Sequence, residues 1–130
     1  MAIYAFGANY DSVDMTEEFV NNNVIGIGWS YNDNPTGHNF VKTLKAGDIV
    51  YIKSCNFGSD LTIKAVGIVS DYDIRTIPGI IMIGRNVKWI STEQFVISKQ
   101  DFTPDKNNVR SNSLYEEFNP VVISRILEEF

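Results

Sequence analysis

Between Val24 and Val69 the chain carries three apolar runs of strand length: V-I-G-I-G-W-S-Y, G-D-I-V-Y-I-K-S and L-T-I-K-A-V-G-I-V. Each run ends in glycine or small polar residues, and the amphipathic piece F-V-K-T-L-K-A precedes the second. Runs this short and this rich in β-branched residues read as strands. From Ile49 to Ser54 both faces are apolar, which suits a central strand or a closed sheet. The first run exits at Trp29, and a large aromatic at a strand exit can wall a pocket.

The remaining elements follow from local chemistry. Ile3 to Ala8 alternates and reads as the first strand, and Asp14 to Glu17 has capping-box spacing for a short helix reaching the Asn21-Asn22-Asn23 triplet. Asn32 to Gly37 is loop chemistry, and Phe40, Val41 and Leu44 share one face of a second short helix. Leu61 to Val69 is a strand, Arg75 to Gly79 a break, Ile80 to Ile90 a long strand bent at Gly84, and Phe95 to Ser98 one more. Asp101 to Ser113 is a polar excursion. Asn119 caps a terminal helix with Pro120 at its first position, and Val122, Ile123, Ile126, Leu127 and Phe130 form its apolar face. Strands joined mostly by hairpin-length gaps, with helices only early and at the end, give an α+β fold built on a mixed or antiparallel curved sheet approaching a barrel. With 130 residues this is one domain.

Composition narrows the function classes. Cys55 and His38 are the only residues of their types, so an internal disulfide and a Cys/His zinc site are both excluded. The lone cysteine fits a reducing compartment and a cytoplasmic location. No apolar run approaches the ~20 residues that cross a bilayer, so no membrane partner is expected. A net charge of −5 argues against broad phosphate binding but permits a local basic strip. Gly26-x-Gly28 lacks the third glycine of a dinucleotide fingerprint, since Tyr31 stands there, and there is no P-loop. No cofactor is expected.

The aromatic first strand, I-G-W at 27–29, G-D-I-V-Y-I-K-S at 47–54, A-V-G-I-V at 65–69 and V-K-W-I at 87–90 resemble the PUA-like superfamily, and within it EVE-like domains. The segment V-R-S-N-S-L-Y-E-E-F-N-P-V-V-I at 109–123 looks like the tail of small stand-alone bacterial and phage proteins of this type. The resemblance implies a pseudo-barrel with a pocket at one end that takes a modified base of DNA or RNA. By position that pocket draws on Asn9 and Tyr10, on Trp29, Ser30 and Tyr31, and on Lys53, Ser54, Cys55, Asn56 and Phe57, with Asp71 and Tyr72 after the fourth strand. Trp29 would be the stacking wall, Tyr10 or Phe57 a second wall, Ser54 and Asn56 the readers of polar edges, and Lys53 a phosphate contact.

Against these stand blander roles: Trp29 as core or rim, Trp89 as core, Lys53 as a solvated lysine, His38 as a solvated or helix-end residue, and Cys55 as a small packed thiol. Three functions compete. The first is a non-enzymatic reader of a base or nucleic acid. The second is a phage or prophage accessory protein that binds a host or restriction protein, for which acidic charge is suited. The third is a nucleoside hydrolase of the ASCH type, for which Lys53 lacks clear threonine and glutamate partners. Oligomeric state stays open, because the terminal helix can cover this sheet or a neighbour's.

Overall fold

A computed structural model describes residues 2–54, 60–102 and 113–130. The elements run β1 (Ile3–Gly7), β2 (Asn9–Tyr10), β3 (Val13–Asp14), α1 (Thr16–Asn21), β4 (Val24–Ile27), α2 (Pro35–Thr43) and β5 (Ile49–Ser54). They continue with β6 (Leu61–Ile77), β7 (Ile81–Ser91), β8 (Phe95–Ile97), a 3-10 turn (Lys99–Asp101), β9 (Leu114–Glu116) and α3 (Pro120–Leu127). The main sheet is mixed, with the order β4-β7-β6-β5-β1-β9, and β8 adds to β6. β1 and β5 run parallel, with Ala5 opposite Tyr51, and all other pairs in this sheet are antiparallel.

The α+β class and the mixed sheet match the expectation, but the sheet does not close into a barrel. Both hydrogen-bonding edges of β1 are occupied, one by β5 and the other by β9. No edge remains there for β4, so β4 and β9 stay as the two ends. Three residues of strand, Leu114 to Glu116, therefore decide whether the sheet is open.

Apolar side chains fill both faces. On one face Phe6, Phe19, Ile25, Val41, Leu44, Val50 and Ile52 pack together beneath α1 and α2. On the other, Ile3, Ala5, Ile49, Tyr51, Leu61 and Ile63 pack with Ile97, Val122 and Ile126 beneath β8 and α3. β5 lies between them and is buried from Ile49 to Lys53, as its two apolar faces require. Gly26 and Gly84 face each other across β4 and β7. A Cβ on either would overlap the opposite backbone, at Ile83 O or Ile25 O, so the close approach of these strands depends on both glycines.

Several boundaries differ from the sequence reading, each for a local reason. Met15 rather than Asp14 occupies the cap position of α1, but Asp14 Oδ1 still accepts from Thr16 N at 3.0 Å and from Thr16 Oγ1 at 2.6 Å. α2 begins inside the expected loop, because Asn34 Oδ1 accepts from Gly37 N at 2.9 Å and Pro35 suits the first helical turn. β6 continues eight residues past Val69 through Ile77, so Asp71 and Tyr72 lie within a strand and not after it. The break at Pro78 and Gly79 is the hairpin turn into β7. α3 is capped as expected, with Asn119 Oδ1 accepting from Val121 N at 2.9 Å, but Leu127 and Phe130 are exposed.

One buried polar device joins distant elements. The Arg85 side chain is fully buried and donates to four carbonyls: Val41 and Leu44 at the end of α2, and Asp71 and Asp73 on β6. Burial lowers its pKa, and the nearby Asp71 and Asp48 oppose that shift. The cation thus ties the C-terminal end of α2 to the irregular stretch of β6, where register slips between Val69 and Ile74.

Candidate functional site

Trp29 leaves the end of β4 with its indole more than half exposed, at 53%. Two hollows meet at this side chain. The first, of about 360 Å³, is lined by Gly7, Asn9, Tyr10, Asp11, Ile27 and Gly28 together with Trp29 and Ser113. The second, of about 400 Å³, is lined by Asn34, Thr36, Gly37, Phe40 and Leu114 with the same Trp29 and Ser113. Both volumes fall in the lower part of the ~300–1,000 Å³ range of small-molecule sites.

The wall beside Trp29 is fixed in place. Tyr10 Oη donates to the carbonyl of Ile80 at 2.8 Å, and its ring meets Phe19 edge-on at 6.2 Å. Burial pushes the Tyr10 phenol well above its ordinary range, so it remains a donor. Gly28 passes directly over this ring, where a Cβ would stand 3.0 Å from Tyr10 Cζ. Glycine therefore lets the strand lie flat on the tyrosine, and the next residue, Trp29, projects into open space.

The backbone that carries the indole is also held. His38 Nε2 lies 2.6 Å from Trp29 O, and since a carbonyl only accepts, this nitrogen carries the proton. His38 is buried, not solvated, and Tyr31 meets its ring edge-on at 5.6 Å. Ser30 Oγ accepts from Asp33 N at 3.2 Å, and Ser30 O accepts from Asn34 N, forming the turn into α2. Phe40, on the second hollow, is braced edge-on by Tyr4 at 5.2 Å.

The floor of the first hollow comes from the hairpin of β2 and β3. Its two-residue turn, Asp11-Ser12, has φ of 48° and 73°. Positive φ at both positions is the type I′ turn that hairpins favour, usually with Asn-Gly. Lys64 Nζ bonds Asp14 Oδ2 at 2.9 Å and pins this hairpin to β6. Burial raises the Asp14 pKa, but hydrogen bonds from Thr16 and Lys64 outweigh it and the net shift is downward.

Of the residues expected at a pocket, the structure brings Asn9, Tyr10 and Trp29 together. Ser30 and Tyr31 support the same loop but line neither hollow. Lys53 is a correction: it is buried on the opposite face, with Nζ 5.3 Å from the centre of the Tyr115 ring. Strand alternation places it with Ile49 and Tyr51, so it does not reach the Trp29 hollows. Ser54 ends β5 exposed and lines neither hollow. Asn56 and Phe57, with Cys55, lie outside the described residues. Trp89 packs against the first core with Nε1 directed at Phe19 O. Asp11, Gly28, Phe40 and Ser113 join the site without having been anticipated.

Among the described residues lining the hollows, Asp11 is the sole charged side chain. No group of three or more described metal-ligating residues converges anywhere in the fold. Among the described residues no helix is long and apolar enough to span a membrane. The chain matches no protein-family model, and no curated protein matches it.

Proposed function

We propose that the protein is a binding module that takes a planar ring, a base or modified base of DNA or RNA, against the Trp29 indole. The observation that carries this reading is an exposed indole standing between two hollows on a braced backbone. A base stacked on an aromatic ring is worth ~1–3 kcal/mol, enough to offset much of the cost of leaving its own stack. The same reading treats the curved sheet as a PUA-like pseudo-barrel whose closure is interrupted by β9. In support, two aromatics, Tyr10 and Trp29, line the hollow that also takes in Gly7 of β1 and Ile27 of β4.

Fluorescence anisotropy with a panel of modified and unmodified single-stranded oligonucleotides tests it. At least one member of the panel should bind, and Trp29→Ala should weaken it roughly tenfold or more. Binding indifferent to that substitution, or no binding by the wild type, defeats the proposal.

One observation favours a protein partner as a second reading. Phe118 is 73% exposed, and Val121, three residues on, is also exposed. A specific partner retained by wild-type bait and lost by Phe118→Asp bait would support that reading.

A further inference from the structure

We infer that the first hollow selects a positively charged ring, such as an N-methylated base that carries a cation, over its neutral counterpart. The inference rests on the reading of that hollow as a ring site and names its ligand class. Three observations carry it. The exposed face of Trp29 presents the negative side of an indole quadrupole, the ring that holds cations best. Asp11 lines the same cavity of about 360 Å³, so a ring seated there shares it with an acidic residue. And among the described residues no lysine or arginine lines either hollow.

Three described lysines are engaged elsewhere. Lys64 is bonded to Asp14, Lys42 Nζ stands 5.8 Å from the Tyr31 ring centre, and Lys53 lies on the far face against Tyr115. Asp14, the other acid of the hairpin, is therefore neutralised, whereas Asp11 makes no hydrogen bond or ion pair with a described residue. The turn also fixes where Asp11 sits. Its left-handed backbone, φ 48°, costs energy in most residues and is held here by the Asn9–Asp14 and Tyr10–Val13 pairing of the hairpin. An acidic residue that lines one cavity with an indole, with no lysine or arginine among the described lining residues, disfavours phosphate and favours a cationic ring.

Isomeric nucleosides separate charge from methylation. At neutral pH 1-methyladenosine is cationic and N6-methyladenosine is neutral, and the two have the same heavy atoms. 3-Methylcytidine and 5-methylcytidine form a second such pair. Calorimetry with the full chain should show the cationic isomer binding roughly tenfold more tightly in at least one pair. Asp11→Asn, which tolerates the same backbone, should bring the two isomers close to equal affinity, and Trp29→Ala should weaken both. Equal affinities in the wild type, or a preference that survives Asp11→Asn, overturn the charge selection while leaving a ring site standing. No binding of either isomer in either pair overturns the selection as well, and the oligonucleotide panel then decides separately whether Trp29 binds a ring at all.

Discussion

Single residues set the mouth of the hollows. Gly28 matters there beside Trp29, because a Cβ on it would press to 3.0 Å against a Tyr10 ring that is itself held by its bond to Ile80 O. Ser12 is the residue held least comfortably. At φ 73° it occupies a position that glycine fills without steric cost, and serine gains nothing there from packing. Ser12→Gly should stabilise the fold by about 0.5–1 kcal/mol, read as a higher urea midpoint at unchanged slope. The aromatics at 10 and 29 were legible in the sequence because a strand exit is a predictable place. Asp11 was not, since its contribution depends on a two-residue turn whose flanking strands are only two residues each.

At the scale of elements, α2 is fastened at both ends. Asn34 caps its start, while at its finish the buried Arg85 guanidinium takes the carbonyls of Val41 and Leu44. The same cation bonds the Asp71 and Asp73 carbonyls, so α2 and the β6 bulge stand or fall together. Arg85→Met fills much of the space but leaves those four carbonyls without their donor. It should cost about 3 kcal/mol in chemical denaturation, far more than loss of an exposed arginine. Half of β6 escaped the sequence reading for a related reason. From Ser70 to Ile77 its side chains are mostly exposed or half-buried and the register slips, so the two-residue hydrophobic rhythm disappears. The helix α3, by contrast, was legible from the Asn119-Pro120 pair and the spacing of Val122 and Ile126.

Across the whole molecule, two cores share one sheet, and a buried polar cluster lies in the second. Tyr51 Oη donates to Glu117 Oε1 at 2.7 Å and lies 3.3 Å from Tyr115 Oη, while Glu117 Oε2 accepts from Asn119 N. Burial first, then the neighbouring Tyr115 and Glu117, push the Tyr51 phenol well above its ordinary value of 10.0. A raised acid pKa in the folded state means that the unfolded chain ionises first as pH rises. Stability is thus fully present below about pH 10 and falls above it. Denaturation midpoints across that range should show the decline, and Tyr51→Phe should make it shallower, with the buried Tyr10 phenol sustaining the rest, while costing about 1 kcal/mol at neutral pH through the lost bond to Glu117. The α+β class was legible because local alternation reports it. The open sheet was not, because it depends on a strand as short as Leu-Tyr-Glu recognising a partner at the opposite end of the sequence.

That pairing orders events during synthesis. β1 leaves the ribosome before either of its neighbours, β5 on one side and the much later β9 on the other. A nascent chain must carry Ile3 to Gly7 unsealed until Leu114 to Glu116 has emerged, exposing a strand flank that invites pairing with other molecules. Chains halted before Leu114 should accordingly gather into aggregates, whereas chains that carry β9 and α3 should remain dispersed, a contrast that sedimentation of the two sets of translation products will register.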